Sequence, residues 1–337
     1  MRQANIIFIF NVVKIITMTT PSLKFEVYNK EFANIIGESP VSKLLADNLT
    51  FTEGPIYISN SDNNGYLLFT NWIENSINMI KWYGMSPYNQ LTEASYGPVV
   101  IFKENYNGVN GQATDRKGRL LTNQMIARNI IQTDLNGDTK VLIGDYKGKP
   151  LNSPNDIVVK SDGTVWFTDP PIGYYLFGTK PELPPAVYRY NPETKRLSQV
   201  ITDLVQPNGL AFSHDEKILY VADSAASPGN GVYYSYLPHT VYAYDTVDFN
   251  RKKFAEINPG FPDGIKVDIH DNVYITAADG VHIYSSNGKI IGKILTPARA
   301  VNLTFGSKDN NVLFIGATTT IWAVRLNTKG SVPINTV

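Results

Sequence analysis

The chain has 337 residues, 43% of them apolar and 12% aromatic, enough to bury a large core within one domain. Lysine and arginine number 30 against 30 aspartates and glutamates, with no basic run or stripe, which argues against nucleic acid and anionic membrane surfaces as partners and for a neutral or weakly charged small molecule. Cysteine is absent, so disulfides and thiolate chemistry are excluded.

Reading from the amino terminus, MRQANIIFIFNVVKIITM holds an apolar run at Ile6–Val13 that Asn11 and Lys14 break, and it is too short to span a bilayer. A second methionine, Met18, opens a stretch that reads as a natural start, so residues 1–17 are expected to be an upstream extension or a weak signal-like segment. Residues 18–44 read as a lead-in, 45–326 as the folded body and 327–337 as a tail. The expected location is cytoplasmic, with secretion as the alternative. In the secreted case the sequons at Asn48 and Asn302 would matter.

From residue 63 onward a strand-like phrase with a turn before it recurs six times: NNGYLLFTN (63–71), DRKGRLLTN (115–123), SDGTVWFTD (161–169), HDEKILYVAD (214–223), HDNVYITAA (270–278) and KDNNVLFIGA (308–317). With Phe69, Leu121, Phe167, Val221, Ile275 and Ile315 as anchors, the spacings are 52, 46, 54, 54 and 40, the length of one propeller blade of four short strands. Helical periodicity is scarce, and runs of Val, Ile, Tyr, Phe and Thr are cut by Gly, Asn, Asp and Pro, as in an all-β chain. The expected fold is a six-bladed β-propeller with a central metal site. A large sandwich or two stacked β-domains is the alternative.

Upstream of the anchors, at 16, 11, 12, 13, 12 and 13 residues, stand Glu53, Asn110, Asn155, Asn208, Asp263 and Asn302. One phase of a propeller repeat maps to one ring around the channel, so these six oxygen-bearing side chains are expected to converge at one mouth. Such a set suits a hard divalent cation, calcium first. Asn110-Gly111 and Asn208-Gly209 also read as tight-turn pairs, though that reading does not require Glu53 or Asp263 to share the phase.

The phrases around the ring are FTEGPIY (51–57), VNGQATDRKGRLL (109–121), LNSPNDIVVKSDGTVWFTDPPIGY (151–174), QPNGLAFSHDEKILYVADS (206–224), FPDGIKVDIHDNVYIT (261–276) and NLTFG (302–306). In their order and spacing, from about residue 45 to 326, the chain resembles the family of gluconolactonases, senescence marker protein (regucalcin) and related lactonases, closest to its microbial and fungal gluconolactonase-like members. The resemblance implies one divalent metal at the top of the channel, held by Glu53, Asn208 and Asp263, with Asn155 as a further ligand or near-ligand. It makes Asp263 the general base or activator of water and Asn110 a substrate contact. Gln112, Arg128 and Tyr174 complete the candidate substrate contacts, and zinc, magnesium or manganese are alternatives to calcium.

Two positions depart from the family. Where its gluconolactonase-like members often read Gln-His-Gly-x-Arg-Arg, this chain reads Gln124-Met125-Ile126-Ala127-Arg128-Asn129, and Gly108 stands where the animal proteins have arginine. Exchanging His for Met points to a less polar pocket than a sugar lactone wants. Two segments, 169–185 and 224–242, carry Pro, Gly and Tyr as loops over a propeller mouth do. The histidines at 214, 239, 270 and 282 fall in turns or outer strands and are assigned no chemistry. No GxSxG elbow and no Ser/His/Asp set supports a serine nucleophile. The expected activity is metal-dependent opening of a lactone by a monomer or weak homo-oligomer. A biosynthetic enzyme acting on another ester without net hydrolysis and a non-catalytic calcium-binding propeller are the alternatives.

Overall fold

The computed structural model describes residues 22–60, 64–85, 90–229 and 231–331, and residues 1–17 lie outside them. Among the described residues, six antiparallel sheets of four or five strands follow one another along the chain, with a two-stranded ribbon, Asp145–Tyr146 against Lys149–Pro150, between the second and third. Blade I comprises Thr52–Ser59, Gly65–Asn71, Ser76–Trp82 and Tyr96–Lys103, and blade II Val109–Thr114, Leu120–Gln124, Asn129–Thr133 and Thr139–Ile143. Blade III comprises Ile157–Val159, Val165–Asp169, Ala186–Asn191 and Arg196–Ile201, and blade IV Pro207–Phe212, Ile218–Asp223, Thr240–Asp245 and Arg251–Glu256. In blade V, Ile265–Val267, Val273–Ala277, Gly280–Tyr284 and Ile290–Leu295 are joined at the outer edge by Lys24–Val27. Blade VI takes Asn302–Gly306, Val312–Ala317 and Thr320–Arg325 from the end of the chain and Val41–Ala46 from its beginning. The first strand of each blade touches the first strand of the next, and blade VI returns to blade I, so the six close into a β-propeller.

All six anchors sit on second strands and are fully buried. The repeat exists because each blade must cover the apolar face of its neighbour: six apolar clusters occupy the six seams, for example Leu121 and Ile130 of blade II against Phe167 and Tyr188 of blade III. Each such side chain contributes about 1.5–3 kcal/mol by leaving water. In blades II to V the turn in front of the anchor is fixed by an aspartate that accepts from a backbone N–H two residues on: Asp115 from Lys117 at 2.9 Å, Asp162 from Thr164 at 2.9 Å, Asp215 from Lys217 at 3.1 Å and Asp268 from His270 at 2.9 Å.

The segment before residue 45, read from sequence as a lead-in, supplies two strands and a helix. Val41–Ala46 pairs with Thr320–Arg325 and ties both ends of the chain into blade VI. The helix Lys30–Ile36, capped by Asn29 Oδ1 accepting from the Phe32 N–H at 3.1 Å, lays Phe32 over the seam between blades V and VI. Among the described residues no helix is long and apolar enough to cross a membrane.

Candidate active site

The chain enters each first strand at the same end of the channel, and there the six ring residues lie. Glu53, Asn110, Asn155, Asn208, Asp263 and Asn302 are each no more than 5% exposed. In blades I, II and IV the ladder slips just after the ring residue, between Glu53 and Ile56, Val109 and Gln112, and Pro207 and Leu210. Such bulges re-aim a side chain out of the pleat.

The Asn-Gly pairs are not turns. Gly209 donates its N–H to the Asp263 carbonyl at 3.0 Å, and a Cβ there would stand 1.9 Å from that oxygen. Gly111 makes the same contact with the Asn155 carbonyl, at 2.8 Å. Glycine follows the ring residue because the next blade's backbone presses against it, and the two reasons for an Asn-Gly pair look alike in sequence.

Five of the ring residues, Glu53, Asn110, Asn155, Asn208 and Asp263, line a cavity of about 390 Å³. Asn302 stands behind Glu53, its Nδ2 donating to Oε2 at 3.2 Å, and is too buried to accept a glycan. The walls are apolar and come partly from the two loops singled out by sequence: Ile172 and Leu176 from the helix Ile172–Phe177, and Val232 and Tyr233 from the 224–242 segment, opposite Trp72 and Met125. Met125 Sδ accepts from Asn110 Nδ2 at 2.9 Å.

Three expected contacts lie elsewhere. Gln112 sits beyond the bulge, where its side chain lines the other end of the channel and donates to the Gly54 carbonyl at 3.0 Å. Arg128 turns outward from the sheet to bond the Leu151 carbonyl and approach Glu182 at 4.0 Å. Tyr174 is half exposed on the outer face of its helix, ring to ring with Tyr175. None of the four histidines lines the cavity; His282 is buried in the third strand of blade V, bonded to Asp279 at 2.7 Å.

Two residues of consequence have no mark in the repeat. Arg299 reaches the cavity floor from the segment before blade VI, with Nη2 3.3 Å from Asp263 Oδ2. Asp156 occupies the phase at which blades II and IV carry glycine and is completely buried beneath the ring. Its Oδ2 has no partner among the described residues. The Asn155-Asp156 pair was the available signal for it.

Three buried acids in the floor raise one another's affinity for protons. Burial first, then the charge of Asp263, pushes Glu53 well above the usual carboxylate range, against the hydrogen bond from Asn302. Burial raises Asp263 to about 6, with Arg299 opposing and Asp156 adding to the rise. Asp156 is raised by burial while Lys266 pulls it down. Among the described residues no three His, Cys, Asp or Glu side chains form a metal-ligating group, so an ion here would rest on two carboxylates and amide oxygens. That donor set, with its mutual repulsion and the unpartnered Asn110 Oδ1, fits a hard divalent cation.

Residues 51–319 match the family model described as the SMP-30/Gluconolactonase/LRE-like region. A gluconolactonase from Zymomonas mobilis is 31% identical over 308 residues, covering 88% of this chain and 84% of that protein. The structure of a gluconolactonase from Xanthomonas campestris superposes with a TM-score of 0.75 at 28% identity, covering 92% of this chain and 99% of that one. A calcium-binding regucalcin from Agrobacterium tumefaciens shares the fold, with a TM-score of 0.61 at 12% identity over 90% of this chain and 96% of that one.

Proposed function

The chain belongs to the SMP-30/gluconolactonase/LRE-like family, and on that premise we propose that it is a divalent-metal-dependent hydrolase that opens a γ- or δ-lactone. The observation that carries the reading is the pair of buried carboxylates, Glu53 and Asp263, on the floor of a cavity whose walls are otherwise mostly apolar.

Glu53, Asn155, Asn208 and Asp263 would hold the ion, with calcium ahead of zinc, magnesium and manganese because every donor is oxygen. When bound, it supplies Lewis-acid polarisation of an acyl carbonyl. Asp263, which burial raises to about 6 in the metal-free site, is ionised at neutral pH and takes a proton from water as the water oxygen joins the acyl carbon. The ring C–O bond then breaks, its electron pair leaves on the ring oxygen, and Asp263 returns the proton there. The product is a hydroxy acid. Asn110 and Asn155 offer amide donors and acceptors to substrate oxygens from the floor.

Met125 and the walls supplied by Trp72, Ile172, Leu176 and Val232 support a lactone with an apolar substituent over a polyhydroxylated one. The test is proton release from a panel of alkyl-substituted and sugar lactones by chelator-treated protein, with calcium, zinc, magnesium or manganese added back. Metal-dependent opening with alkyl lactones ahead is the expected result. Tight metal binding without turnover would shift the assignment to a biosynthetic enzyme or a calcium-binding propeller.

A further inference from the structure

Arg299 is a cation in a cavity that the ring residues make acidic, and its setting is built. The guanidinium lies 4.7 Å from the ring centre of Phe261 and 5.7 Å from that of Phe51, so two aromatic side chains flank a side chain that stays about a quarter exposed. Its contact with Asp263 is a single one at 3.3 Å, longer than a charge-assisted hydrogen bond and not the two-pronged pairing that arginine and carboxylate adopt when they serve each other fully. Nη1 is buried with no hydrogen-bond partner among the described residues. A charged N–H left without an acceptor is costly. The fork therefore keeps donor capacity beside the residue that handles the proton.

We propose that Arg299 contacts the reacting acyl group, drawing negative charge onto the lactone's acyl oxygen as water adds and then holding the carboxylate of the ring-opened acid. This rests on the lactonase reading and deepens it. Water supplies the new oxygen, the ring oxygen leaves as an alcohol, and the acid formed gives its remaining proton to solvent, so one negative charge appears beside the guanidinium. Planar bidentate donors match a carboxylate and weakly hydrated arginine suits an aromatic-lined wall, which lysine does not reproduce.

The experiment compares wild type, Arg299→Met and Arg299→Lys for kcat, KM and inhibition by the open-chain hydroxy acid of the best lactone in the panel. Loss of kcat alone would also follow from a disturbed Asp263, so acid inhibition is the deciding readout. Expected for Arg299→Met are a fall in kcat of about 10²-fold or more and inhibition weakened about 10-fold or more, with Arg299→Lys regaining part of the acid binding but little of kcat. Wild-type inhibition constants in Arg299→Met overturn the proposal while leaving the lactonase reading intact. Should Arg299→Met fail to fold, Arg299→Lys decides alone, and an unchanged kcat and inhibition constant overturn it. If the wild type opens no lactone, the functional reading fails separately, and calorimetry with hexanoate as probe decides: binding lost in Arg299→Met supports the anion contact, and equal binding overturns it.

Discussion

At the upper end of the channel the first strands begin with Glu53, Asn110, Asn208 and Asp263 around a cavity of about 390 Å³. Toward the lower end the first strands of blades I, II, III, IV and VI carry Tyr57, Ala113, Val159, Phe212 and Phe305 around one of about 130 Å³, where Arg116 and Lys266 are the charged groups and no carboxylate is among the lining residues. The lower end is also covered by Gly330 and Ser331 from the end of the chain. Six strands thus pass from an acidic, open mouth to a basic, covered floor within a few residues. Closure and seam packing hold the ring together along its length, which lets the upper end keep charges that a folding chain would otherwise exclude. The proposed chemistry sits where the fold is electrostatically least comfortable.

Breaking the acidic end should have the largest effect. Asp263→Ala removes the proposed proton acceptor, and kcat for lactone opening should fall by about 10²–10⁴-fold while the circular dichroism spectrum is retained. An active variant would remove Asp263 from the mechanism.

The lower end should answer in the opposite currency. Phe212 is buried and lies edge-on to Trp166 at 5.3 Å in the seam between blades III and IV. Phe212→Ala should lower unfolding free energy by about 3–5 kcal/mol, measured by urea titration, with kcat per folded molecule unchanged.

A third comparison sets the ends against each other through pH. Burial raises Asp263 to about 6 from an ordinary 3.8, so the folded state holds this proton more tightly than the unfolded chain does. In chelator, its contribution must therefore be a loss of stability as pH rises from about 4 through about 6, levelling off above. Asp263→Asn removes that slope, and at pH 7 it should be the more stable protein by about 1–3 kcal/mol. Added calcium should reverse the order, since an ion that binds only the native wild-type site raises its melting temperature. Melting curves at pH 4, 6 and 7 with and without calcium read all of this. A wild type that outlasts Asp263→Asn in chelator at pH 7 would mean the floor is not strained.

Much of this contrast was legible in the chain. The repeat located all six second strands because their anchors, Phe69 to Ile315, are fully buried in the seams, and the recurring offset of 11 to 16 residues located the ring. What the repeat could not carry was anything outside its phase. Arg299 comes from a connecting segment, and Asp156 takes the place of a glycine. Val41–Ala46 closes the circle without a phrase of its own because its partner, not its sequence pattern, fixes its place. Gln112 was misplaced because the bulge after Asn110 turns the strand between them, and Tyr174 because one turn of helix can aim a neighbour, Ile172, at the cavity while leaving Tyr174 in water.

The smallest effect concerns which lactone enters. Met125 gives the cavity a thioether that accepts from Asn110 Nδ2 at 2.9 Å, so one of that amide's two N–H groups is already engaged, by a weak acceptor. A histidine at 125 offers a donor and an acceptor of its own and can direct the Asn110 side chain at a hydroxyl. Met125→His should therefore raise the ratio of kcat/KM for gluconolactone over an alkyl δ-lactone by about 10-fold. The ratio isolates polarity from any general loss, because a disturbed floor would slow both substrates alike. If it does not move, discrimination lies with the walls that Ile172, Leu176 and Val232 form above the floor, and shortening the 224–242 segment becomes the change that should shift it.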